Sequence, residues 1–194
     1  MQNLIKKIKR FKEKRVLVIG DLILDQYTIG ECNRISPEAP VPIIKVTREE
    51  YNVGGAGNTA ANIKTLGSEP YLIGIVGKNY WGKIFKKELE KRGIDYSRIL
   101  FSSDTETIRK ERIFSKGQPA GPRLDRYDKI PKNKKHHEYI WKSFLENFNS
   151  SDIVVMSDYA KGTLSKELIK KIISHCRENK KAIIIDPRPE HALC

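Results

Sequence analysis

The sequence predicts an α/β fold, a mostly parallel sheet flanked by helices with a small antiparallel β lid. Three observations carry that expectation. Short, continuously apolar runs at Arg15–Gly20, Tyr71–Val76, Asp152–Ser157 and Ala182–Asp186 have the character of strands buried on both faces. Between them, apolar residues recur at helical spacing. Two stretches, about 27–51 and 105–127, break this rhythm with proline, glycine and strand-like alternation. Strand alternating with helix implies a parallel sheet with right-handed crossovers.

Taken in order, residues 1–14 place Leu4, Ile8 and Phe11 on one stripe with lysines opposite. That predicts an N-terminal basic helix packed on its own domain rather than on a membrane surface. Residues 15–194 then form the main domain. After the first strand, Pro37, Pro40 and Pro42 punctuate a stretch in which Val41, Ile43 and Val46 read as a strand. Next comes V-G-G-A-G-N-T-A-A-N-I-K-T-L-G, from Val53 to Gly67. Glycine inside a helix costs roughly 1 kcal/mol relative to alanine, so Gly54, Gly55 and Gly57 predict a loop opening a helix. The contact side of that helix (Ala56, Ala60, Ile63, Leu66) is small, which lets it approach a sheet closely. Its N-terminal N–H groups and the Asn58 amide, both donor and acceptor, are chemistry suited to a polyol. By itself the loop fits ligand binding and plain tight packing equally well. It matches neither G-x-x-x-x-G-K-[ST] nor G-x-G-x-x-G with a following acid.

Trp81, Ile84, Phe85 and Leu89 form the next helical stripe, with Gly93 placed to close it as C′. From Thr105 to Tyr127 the alternation of Ile108, Arg112 and Phe114 leads into a turn rich in glycine and proline, as in a hairpin. Two more stripes follow, Ile140–Phe144–Phe148 and Leu168–Ile169–Ile172–Ile173–Cys176. The inserted strands are expected to lie as a lid over a site at the ends of the main strands.

Composition narrows the function. With 39% hydrophobic residues the chain can build a core, and no apolar run reaches eighteen residues. The N-terminus lacks the apolar segment of a signal peptide, which reads as cytoplasmic. Cys32, Cys176 and Cys194 show no C-x-x-C spacing and the four histidines no zinc pattern, so these side chains are expected to hold no metal. A net charge of +13 favours anionic partners. Its lysine pairs fit a solvated surface, and no aromatic-interleaved basic tract is present, so neither nucleic acid nor membrane is expected as a partner.

Gly54-Gly55-Ala56 with Asn58 and Ala60, then Gly67 and Gly77, resembles the N-terminal signature of the ribokinase-like (PfkB) family of sugar kinases. Four further stretches are G-D-L-I-L-D-Q-Y from Gly20, R-I-S-P-E-A-P-V-P from Arg34, S-D-Y-A-K-G from Ser157 and I-D-P-R from Ile185. They make the chain from Arg15 onward similar to the heptose-phosphate kinases that supply ADP-heptose for lipopolysaccharide. The resemblance implies a ribokinase-like domain that uses ATP and Mg²⁺ to phosphorylate a sugar phosphate. The substrate it points to is D-glycero-β-D-manno-heptose 7-phosphate, phosphorylated at the anomeric hydroxyl, and it also implies a homodimer formed through the lid.

Residue by residue, the resemblance gives Asp25, just past the first strand, the sugar hydroxyls, and Gly54, Gly55 and Asn58 the floor beneath the sugar. Arg112 and Lys161, with Lys110 beside them, would neutralise the substrate phosphate. Asp158 would orient Lys161 or lie near magnesium, Asp186 resembles an acidic position on the nucleotide side, and Asp21 is as readily structural. The family places its nucleotide site and catalytic base in a G-A-G-D-type turn opening a helix. No such turn occurs among these 194 residues, so no catalytic or nucleotide-binding residue is assigned. The expectation is an incomplete kinase domain, a substrate half inactive alone. The other reading is a non-catalytic sugar-phosphate-binding or interaction protein derived from such a kinase.

Overall fold

A computed structural model describes residues 10–127 and 129–192. In chain order the strands are β1 (Arg15–Gly20), β2 (Leu22–Ile35), β3 (Pro42–Gly55), β4 (Glu69–Gly77), β5 (Ile99–Ser102), β6 (Ile108–Ser115), β7 (Gln118–Pro119), β8 (Leu124–Arg126), β9 (Ile153–Ser157) and β10 (Ile183–Asp186). The helices are α1 (Ala56–Thr65), α2 (Tyr80–Lys91), α3 (Lys134–Phe148) and α4 (Lys166–Glu178).

The apolar runs form a five-stranded sheet in the order β10-β9-β1-β4-β5, each neighbouring pair parallel. Successive side chains of a strand point to opposite faces, and β1 shows the consequence. Leu17 and Ile19 join one core with Ile140 and Phe144 of α3 and Ile172 of α4. Val16 and Val18 join another with Ala56 and Ala60 of α1 and Phe85 and Leu89 of α2. Side-chain caps start three helices: Asn79 accepts from Gly82 N–H at 2.9 Å, Asn133 from His136 at 2.8 Å and Ser165 from Leu168 at 3.2 Å. Gly93, expected to close α2, has φ 61.

The lid is a second sheet, β3-β2-β6-β7, with β8 pairing β6 along the same edge as β7. Its hairpin-like pairs β2–β3, β6–β7 and β6–β8 are antiparallel, and a parallel pairing of β2 with β6 joins them. The lid starts earlier than the sequence indicated, because only Asp21 separates β1 from β2. Asp25, expected just past the end of the first strand, therefore lies within β2. Gly54 and Gly55, expected in a loop, instead close β3 opposite Ile23 and Leu22, and α1 follows directly. The junction depends on glycine: Gly55 has φ 58, and a Cβ on it would stand 2.2 Å from the Asp21 carbonyl oxygen.

β5 was not anticipated, since I-L-F-S is too short to show a period. The expected N-terminal helix falls largely outside the described residues; Arg10–Glu13 forms a single 3₁₀ turn. No helix among the described residues is long and apolar enough to cross a membrane.

Candidate functional site

A cavity of about 380 Å³ opens between the lid and the start of α1. The two-residue period of the lid strands decides what faces it. On β2, Ile23, Asp25 and Tyr27 line the cavity, while Gln26 and Thr28 are buried on the opposite face. Lys110 and Arg112 come from β6 by the same alternation, and Asn52 and Gly54 from β3. Gly55 and Asn58 complete the side formed by the β3–α1 junction.

Asp25 is fixed from two sides. Its Oδ1 accepts a hydrogen bond from the Arg112 guanidinium at 2.6 Å. A Cβ on Gly54 would lie 2.4 Å from its Oδ2, so only glycine lets the carboxylate rest against β3. An ionised carboxylate has about four lone-pair sites, which leaves Asp25 able to accept further donors. Lys110 adds a second cation, its ammonium 5.2 Å from the centre of the Tyr159 ring. Burial pulls the Lys110 pKa down, against the opposing pull of Asp125.

Asp25, Gly54, Gly55, Asn58 and Arg112 thus meet around one cavity. Lys161 is not part of its lining. The Lys161 ammonium sits 3.5 Å from the centre of the Tyr127 ring, and its backbone N–H donates to Asp21. Asp158 does not orient that lysine either. Its Oδ1 accepts from Ala160 N–H at 2.9 Å and its Oδ2 pairs with His191 Nδ1 at 2.6 Å. Among the described residues no group of three His, Cys, Asp or Glu side chains is placed to hold a metal ion.

Asp21 is structural in a specific way. Fully buried, it accepts the backbone N–H groups of Tyr159 at 2.8 Å, Lys161 at 3.0 Å and Thr163 at 3.1 Å. Its own N–H donates to the Ser157 carbonyl and its carbonyl accepts from Ala56 N–H. Burial raises its pKa against the pull of those donors. The loop after β9 curls around this carboxylate, with Ala160 at φ 52 and Gly162 at φ 92, and so brings Tyr159 to the cavity. Sequence reasoning missed Tyr159, Asn52 and Arg92 as cavity residues. Arg92 stands at the end of α2, forty residues from the Asn52 it touches, and no motif spacing links the two.

Comparison with known proteins fits this geometry. The model of the pfkB family carbohydrate kinases matches residues 13–194. The chain is 41% identical over 175 residues to the bifunctional protein HldE of Helicobacter pylori, covering 90% of this chain and 38% of that protein. With the HldE of Syntrophotalea carbinolica it shares 34% identity over 181 residues, covering 93% and 37%. Among solved structures, a carbohydrate kinase from Agrobacterium tumefaciens superposes with a TM-score of 0.70 at 20% identity, covering 89% of this chain and 53% of that one. Phosphofructokinase-2 from Escherichia coli in complex with fructose-6-phosphate gives 0.68 at 18%, covering 92% and 56%. These structures share the ribokinase-like fold. The chain spans 38% and 37% of the length of the two curated relatives. It belongs to the pfkB family of carbohydrate kinases.

Proposed function

We propose that, within this family, the chain forms the acceptor side of a sugar-phosphate kinase. Its substrate is D-glycero-β-D-manno-heptose 7-phosphate, phosphorylated at the anomeric hydroxyl. The observation that carries this reading is the pairing, in one cavity, of a fixed carboxylate with three cations, Arg92, Lys110 and Arg112, over a glycine floor. Asp25 accepts hydrogen bonds from sugar hydroxyls while Arg112 holds it in place. Arg112 and Lys110 supply charge for a phosphate already on the sugar. Lys161 joins them on leaving the Tyr127 ring. The stretches similar to heptose-phosphate kinases narrow the sugar to a heptose.

ATP with Mg²⁺ is the phosphoryl donor in this reading. The described residues offer no metal-ligand cluster, so the donor side is assigned to none of them. A homodimer through the lid is supported by the exposed apolar residues Ile35, Val41 and Val46 toward its far end.

Calorimetry with heptose 7-phosphate and with free heptose tests the proposal. The phosphorylated sugar is expected to bind more tightly, and Asp25→Ala to lose roughly 1.5–3 kcal/mol of affinity, the worth of hydrogen bonds to a charged group. Equal affinity for both sugars removes the phosphate from the assignment. Unchanged affinity in Asp25→Ala removes the carboxylate.

A further inference from the structure

Asn52 and Asp25 stand directly opposite each other in the β2–β3 pairing, and both line the cavity. The carboxylate can only accept hydrogen bonds when ionised, whereas an amide can present either its oxygen or its nitrogen. Which end Asn52 presents is fixed by Arg92, a neighbour in the cavity lining. The Arg92 guanidinium meets its side chain, and arginine carries donors alone. The Asn52 atom turned to Arg92 is therefore its carbonyl oxygen, Oδ1, and the NH₂ group is left for the cavity. Arg92 is itself anchored. Its Nη1 donates to the Glu88 carboxylate at 2.7 Å and to the Glu88 carbonyl oxygen at 2.6 Å, and Glu88 is buried in α2.

We infer that Asn52 is a specificity-determining hydrogen-bond donor of this cavity, and that Arg92 is the residue that positions it. The ligand class this selects is a polyol with two neighbouring hydroxyls. One donates a hydrogen bond to Asp25, and the oxygen of the other accepts from Asn52 Nδ2. A sugar lacking the second hydroxyl leaves that amide unpaired. The inference rests on the proposed reading of the cavity as a sugar site.

The test is a double-mutant cycle in the 194-residue chain: Asn52→Ala, Arg92→Met and the pair, titrated with heptose 7-phosphate by calorimetry. Asn52→Ala is expected to weaken binding roughly tenfold, the worth of one hydrogen bond, and Arg92→Met by less. Because Arg92 acts through Asn52, the double variant should bind no more weakly than Asn52→Ala alone. Arg92→Met leaves Glu88 with Lys91 on Oε1 but with no partner on Oε2, so binding is compared below the melting onset of every variant. Additive losses would show that Arg92 meets the ligand itself and overturn the positioning role. Full affinity in Asn52→Ala would overturn the donor role while the sugar site stands. Absence of binding by the unaltered chain would overturn both readings together.

Discussion

Among the described residues no cation bonds Asp21, yet three main-chain N–H groups make it a fully satisfied buried carboxylate. An asparagine there offers one acceptor oxygen, and its NH₂ would face an N–H that needs an acceptor. Leaving a buried donor unpaired costs about 1–3 kcal/mol. Asp21→Asn should therefore lower the urea midpoint by an amount of that order, with the slope unchanged. The affinity for heptose 7-phosphate should fall with it, because the same bonds hold the loop that carries Tyr159. A denaturation curve identical to that of the unaltered chain would show that the loop is held by something else. Sequence could place Asp21 beside a strand end, but not reveal that its partners lie near 160, since backbone donors leave no trace in residue identity. Asp25 was singled out by its place after the first apolar run and by the G-D-L-I-L-D-Q-Y resemblance, while its position within β2 was not readable. Lys161 was misplaced for a related reason. Motif and strand end locate its backbone, while the aromatic ring that holds its ammonium sits in a separate stretch.

The elements most legible in the sequence were those with one unambiguous period. β1, β4 and β9 appear as apolar runs because both faces of the parallel sheet are covered there, β10 as one although only one of its faces is covered, and α2, α3 and α4 as stripes because each buries one side. The early start of β2 was hidden, since L-I-L-D continues the apolar run of β1 with only Asp21 between. The close approach of α1 to the sheet was readable in its small residues, and the structure shows how tight it is. A Cβ on Gly20 would stand 2.0 Å from the Ser157 carbonyl oxygen and 3.2 Å from the Ala56 Cβ. The first obstacle is backbone, which cannot step aside as a side-chain tip can. Gly20→Ala must therefore push β1 and β9 apart at the edge of the site. A cost of about 3 kcal/mol, the upper end for an overpacked core, corresponds to a Tm lower by roughly 6–12 °C in a chain of this size. Gly121→Ala is the control, because its new Cβ would meet only Ile113 at ordinary contact distance. Equal melting of the two variants would show that the junction has slack.

At the scale of the whole molecule, the sheet is covered unevenly. β10 is an edge strand; Ile183 and Ile185 pack toward α3 and α4, but Ile184 on the other face is 57% exposed. Beside it runs an apolar groove of about 510 Å³ that includes Ile63, Leu66, Ile153 and Val155. Parallel sheets normally bury both faces, and an open edge favours association. In the proposed reading the cavity supplies an acceptor pocket. In-line phosphoryl transfer also needs a base on the acceptor hydroxyl, donors for the transferring group and a seat for ATP–Mg²⁺. Removing a single oxyanion-type donor typically costs about 10²–10³ in rate, so a site without that set should turn over negligibly. The 194-residue chain is accordingly expected to show no measurable ATP turnover with heptose 7-phosphate and to tend toward aggregation. A polypeptide corresponding to the C-terminal half of a family kinase domain, produced with it, should cover the groove and the β10 edge. Both solubility and turnover should then rise. The assay is ATP consumption by the chain alone and with that polypeptide. Replacing Ile184 by lysine should weaken the rescue, since the exposed apolar face is what the added half would bury. Robust turnover by the chain alone would mean that the base and the phosphoryl donors lie among residues already described.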